Sequence, residues 1–116
     1  MYQATIDDHA RIVHIAEPLD CPERRLQAAW VRLRPGHRLH TVDGRAVAVI
    51  SPGIWNLEAG PDFRDARIEL HGQVLHGDIE VHRRAGDWHR HGHDHDPRYA
   101  RVILHVVGAD HMQDHP

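Results

Sequence analysis

Two acidic residues, one in a tight turn and one inside a strand pattern, are the side chains of this sequence best placed to do chemistry. Asp62 belongs to the run Gly60-Pro61-Asp62-Phe63, and Glu80 follows 18 residues later within Gly77-Asp78-Ile79-Glu80-Val81-His82. Side chains alternate along a strand, so His76, Asp78, Glu80 and His82 share one side while Leu75, Ile79 and Val81 share the other. Members of the polar row recur about every 6.8 Å, from a rise of roughly 3.4 Å per residue. A half-exposed strand gives the same alternation without any function. Two carboxylates and two imidazoles, however, are not the usual Thr, Lys and Ser of a solvated face. Carboxylates about 4 Å apart repel by roughly 4 kcal/mol at an effective dielectric near 20. A divalent cation converts that cost into binding, and an oxygen-rich pair suits Mg²⁺ or Mn²⁺.

The expected roles follow from that chemistry. Asp62 and Glu80 hold the metal, which lowers the pKa of a bound water and stabilises charge on a phosphate. His82, two residues beyond Glu80, orients or deprotonates that water, with a charge state that depends on pH as an ammonium's does not. Arg67 and Arg83 are the candidate phosphate-binding residues. Glu23, Asp78 and His105 are candidate accessories, although Glu23 also fits a plain helix-capping role.

Histidine supplies a second constellation. The chain has 14 His, and six of them lie from His82 to His105, four at the alternate positions 89, 91, 93 and 95. Alternating imidazoles can ligate a transition metal, so His91 and His93 form an alternative site for Zn²⁺ or Ni²⁺. The run His91-Gly92-His93-Asp94-His95-Asp96 approaches the HxHxDH pattern of metallo-β-lactamase-like hydrolases, but its fifth and sixth residues are transposed. No CxxC pair or HExxH motif makes a zinc site specific. A solvated His-rich loop with opportunistic metal affinity is the plain alternative. There is no Gly-rich phosphate loop and no GxSxG elbow, and Ser51 is the only serine, which excludes serine catalysis.

The elements that must position these groups can be read from pattern. Residues 1–19 form a weakly specified leader, with Ala10–Ala16 as a candidate short strand. Asp20-Cys21-Pro22-Glu23 has the form of a capping box, and Leu26, Ala29, Trp30 and Leu33 then fall on one helical face. Pro35-Gly36 ends that helix. Leu39–Thr41 and Arg45–Ile50 flank Asp43-Gly44, a hairpin signal. Ser51-Pro52-Gly53 and a loop through Trp55-Asn56 lead to the Asp62 turn. Strands are expected over Asp65–Leu70, Val74–Arg83 and Val102–Val107, the last an apolar run typical of a buried strand. Ala85–Ala100 reads as a loop with some helix, and Gly108–Pro116 as a frayed end. The order predicts a mixed α+β fold, one central mixed sheet flanked by helices.

With 116 residues the chain forms one domain with its core over about residues 20–108. Arginine outnumbers lysine 14 to none, so local Arg side chains must supply any attraction for nucleic acid against a formal charge of −3. A single cysteine, Cys21, rules out an internal disulfide and suits a reducing compartment. No apolar stretch reaches the roughly 20 residues of a membrane span, and no signal peptide is evident. The expectation is a cytoplasmic protein, without membrane partners and compatible with a homodimer.

From Glu23 to Val107 the chain resembles the N-terminal part of a bacterial family designated domain of unknown function 2851. The resemblance rests on Glu23, Leu26-Gln27, Trp30, Asp43-Gly44, Ser51-Pro52-Gly53, Trp55-Asn56, Gly60-Pro61-Asp62-Phe63 and Ala66-Arg67-Ile68. It continues through Gly77-Asp78-Ile79-Glu80-Val81-His82, Asp87-Trp88, His91-Gly92-His93, Asp96-Pro97, Tyr99 and Leu104-His105-Val106-Val107. The likeness implies a module of a longer protein and names no activity. Motif order is also similar to that of PD-(D/E)xK nucleases, with His82 where those enzymes carry lysine. That likeness implies a restriction-endonuclease-like α-β-β-β-α-β core and cleavage of DNA or RNA. The competing expectation is a non-enzymatic module that binds a transition metal or another protein.

Overall fold

The computed structural model describes residues 12–15, 23–36, 38–82 and 96–108. Its elements are β1 (Ile12–Ile15), α1 (Glu23–Val31), β2 (Arg38–His40), β3 (Ala46–Ser51), β4 (Ile54–Trp55), β5 (Phe63–Leu70), β6 (Gln73–His82) and β7 (Val102–Gly108), and a 3₁₀ turn lies at Pro97–Tyr99. The seven strands make one mixed sheet in the order β1-β7-β6-β5-β3-β2, with β4 also paired to β5. Strands β3, β5 and β6 run antiparallel, whereas β7 lies parallel to β6, and β1 parallel to β7.

The expected helix is present, and the four expected long strands lie in that single sheet. Sequence pattern marked β1 only faintly, because four residues carry too little periodicity to stand out. It read β4 as loop, since a two-residue strand is defined by its partner on β5 and not by its own composition. Flanking helices were expected around one central mixed sheet, and α1 is the one α-helix among the described residues. Its proposed cap at Asp20 and the crossover segment 83–95 lie outside the described residues.

Helix α1 packs on the sheet through Leu26 and Trp30, both with no exposed surface. They join Val47, Val49, Phe63, Ile68, Ile79, Val81, Leu104 and Val106 in one apolar cluster. Trp30 also donates its indole N–H to the Pro52 carbonyl at 2.9 Å, which pins the turn between β3 and β4 to the helix. That turn requires glycine at position 53, where φ is +92° and an added Cβ would meet the Arg64 carbonyl oxygen at 2.7 Å. A second glycine acts by close approach. A Cβ on Gly77 would lie 2.6 Å from the Arg101 carbonyl oxygen and from the Ile103 side chain, where the register of β6 against β7 shifts.

Candidate functional site

The Asp62 turn is held against the end of β6 by its own residues. Asn56 accounts for much of this: its side-chain amide donates to the carbonyls of Pro61, at 2.9 Å, and Ala59, at 3.2 Å. Its backbone N–H donates to the Asp62 carbonyl at 2.8 Å. Regular pairing of β5 with β6 stops at Phe63 opposite Ile79. Val81, the next N–H on that edge of β6, therefore needs another acceptor, and the Asp62 Oδ2 atom supplies it at 2.8 Å. From α1, Gln27 donates to Asp62 Oδ1 at 2.7 Å. One carboxylate thus ties a turn, a strand and the helix together.

Glu80 completes the pair. Its Oε1 accepts the Asp62 backbone N–H at 3.2 Å, and the residue is 4% exposed. Burial pushes its carboxyl up to about 10, with the negative charge of Asp62 adding to the rise and Glu23 contributing from the start of α1. The Asp62 backbone N–H opposes that shift without overcoming it. At neutral pH Glu80 is consequently a neutral acid beside a charged one. Tyr99, buried on the 3₁₀ turn, has its phenol pushed up by burial and then by the charges of Glu80 and Asp62, so it too borders the carboxyl pair.

Strand alternation carries His82 to the same side of β6 as Glu80. Its Nε2 lies 3.3 Å from His105 Nδ1, with the rings stacked at 5.5 Å between centroids. Both imidazoles are buried, and His105 is the β7 register partner of Glu80. The polar row of β6 is therefore no solvated face: Asp78, Glu80 and His82 are all buried, and only His76 is exposed.

The remaining expected residues fall differently. Asp78 accepts the backbone N–H of Asp65 at 3.2 Å, at a kink of β5 where Asp65 has φ of +60°. Its carboxylate serves the strand, not the Asp62–Glu80 pair. Arg67 is exposed on β5 opposite His76, five residues beyond Asp62. Arg83, His91 and His93 lie outside the described residues. Among the described residues, no group of three or more His, Cys, Asp or Glu side chains is placed to hold a metal ion. No described helix is long and apolar enough to cross a membrane.

Pattern reading overlooked Gln27 and Tyr99 as site residues. Gln27 stands one helical turn after Glu23 and beside the apolar face, a position that reads as a solvated flank until the Asp62 turn is seen to reach it. Tyr99 follows Asp96-Pro97, a 3₁₀ start in which Asp96 accepts the Arg98 N–H at 2.9 Å. A tyrosine at a helical turn just before a buried strand was the available signal.

Residues 23–114 match the model of a family described as protein of unknown function (DUF2851). No curated protein and no solved structure matches the chain.

Proposed function

This chain belongs to the DUF2851 family, and from its geometry we propose that it is a divergent metal-dependent phosphodiesterase acting on DNA or RNA, with Asp62 and Glu80 as ligands of Mg²⁺ or Mn²⁺. The observation that carries this reading is the 3.2 Å contact from the Asp62 N–H to Glu80 Oε1. It joins an acidic turn to an acidic strand, and the charge of a third acid, Glu23, also reaches Glu80. The sheet is compatible with it: neighbouring β3, β5 and β6 run antiparallel and β7 lies parallel to β6, which is what the likeness to restriction-endonuclease-like cores would require of those four strands. Mg²⁺ commonly takes one or two carboxylates and fills its remaining positions with water and substrate phosphate, so a two-carboxylate donor set suits it.

When bound, the cation supplies an activated water and stabilises charge on the scissile phosphate. The chain's own residues do the rest. Gln27 and the Val81 N–H fix the direction of the Asp62 carboxylate. Burial and the Asp62 charge keep Glu80 protonated in the metal-free chain, and a bound cation would favour its ionised form. His82 and His105 form an imidazole pair beside Glu80 that can take up a proton. The test is cleavage of single- and double-stranded DNA and of RNA with Mg²⁺ or Mn²⁺ between pH 6 and 9. The wild type should cut and Glu80→Gln should not. Equal background in both proteins would overturn the reading.

A second reading has its own observation. Both Asp62 oxygens are already engaged by protein donors, as they would be in a module that keeps an acid pair only to fasten its turn to helix and sheet. In that case the two proteins above are equally inactive, and the chain acts by binding a protein or a transition metal.

A further inference from the structure

The cross-strand register builds a second site on the open face of the sheet, away from the carboxyl pair. Arg38 of β2 pairs with Ala48 of β3, and Ala48 pairs with Glu69 of β5, so the three side chains form one row across the sheet. Arg38 and Glu69 stand two strands apart, roughly 9.6 Å at a strand spacing of about 4.8 Å, with only a methyl group between them. Ala46 repeats the small residue two positions along β3. Together with His71 and Gly72 of the β5–β6 turn, these residues line a pocket of about 220 Å³. Among the described residues, neither Arg38 nor Glu69 has an ion-pair partner. The pocket is smaller than the roughly 300–1,000 Å³ clefts that enclose drug-sized ligands, which limits its occupant to about one ring system.

From this arrangement the geometry points to a site for a single guanine base. A flat ring laid on the methyls of Ala46 and Ala48 meets a fork of donors on one side and a two-oxygen acceptor on the other. Guanine alone among the common bases offers two acceptors, O6 and N7, next to two donors, N1–H and the N2 amino group. Arginine pairs bidentately with the first edge, and a carboxylate accepts both protons of the second. Adenine, cytosine and uracil each leave Glu69 or Arg38 facing a mismatched edge, without the paired hydrogen bonds that guanine makes there. His71, at the rim, has a ring that can stack on the base. The inference stands without the cleavage reading, because it uses no residue of the carboxyl pair.

The experiment is a titration of the full 116-residue chain, followed by backbone amide resonances, with GMP, AMP, CMP, UMP and ribose 5-phosphate. GMP should give saturable shifts centred on Ala46, Ala48, Glu69 and His71, and bind at least about tenfold more tightly than the others. Glu69→Gln should erase that preference, Ala48→Leu should block binding by filling the floor, and Glu80→Gln should leave GMP affinity unchanged. Equal affinity for ribose 5-phosphate would reduce the site to an anion on Arg38 and overturn the proposal. So would equal affinity for all four nucleotides, no binding at all, or a guanine preference that survives Glu69→Gln.

Discussion

At the scale of single residues, Glu80 is the group whose state decides what the site can do. Its carboxyl is raised from 4.5 to about 10, first by burial and then by the charge of Asp62. The folded chain therefore keeps a proton that the unfolded chain gives up across that interval. The stability contributed by this group is complete below about pH 4.5 and declines as pH rises toward 10. In metal-free buffer the melting temperature of the wild type should fall between pH 5 and 9, and Glu80→Gln, which has no proton to lose, should flatten that fall. Parallel pH profiles would mean that Glu80 is not held neutral. Sequence spacing brought Asp62 and Glu80 together because a turn and a strand edge can meet in few ways. It could not reveal Gln27, whose importance depends on Asp62 reaching α1.

Among the elements, α1 and the β3–β4 turn depend on one side chain. Trp30 has no exposed surface and bonds the Pro52 carbonyl. Trp30→Ala should cost about 3–5 kcal/mol in chemical denaturation. It should also loosen the turn that leads to Asn56 and Asp62. A loss below about 1 kcal/mol would show that α1 is not anchored there. The helix was legible because Leu26 and Trp30 repeat at its period, and β3, β5, β6 and β7 because their apolar residues alternate or run together. By contrast, β1 and β4 are created by pairing: Ile12–Ile15 gains its ladder from β7, and Ile54–Trp55 from β5. The kink at Asp65, with Asp78 as its partner, was equally hidden, since nothing in either side chain announces a positive φ.

Over the whole molecule, the sequence offers two candidate metal chemistries that composition alone mixes. The carboxyl pair, where β5, β6 and α1 meet, would suit a hard cation as proposed, whereas the His-rich segment offers imidazoles suited to softer ones. If His91 and His93 ligate Zn²⁺ or Ni²⁺, either metal should raise the melting temperature by mass action, and the double alanine variant should lose that rise. Equal shifts in both proteins would make the segment an ordinary solvated loop. Whether Asp62 and Glu80 together form a cation site is read out by Mn²⁺ binding, followed by electron paramagnetic resonance in the His91→Ala/His93→Ala background. One Mn²⁺ per chain should bind, displaced by Mg²⁺ and held more tightly as pH rises, because binding must expel the Glu80 proton. Affinity should be at least about tenfold weaker in Glu80→Gln, since a carboxylate ligand suited to this metal is lost. Identical Mn²⁺ binding by the Glu80→Gln protein would contradict a shared site.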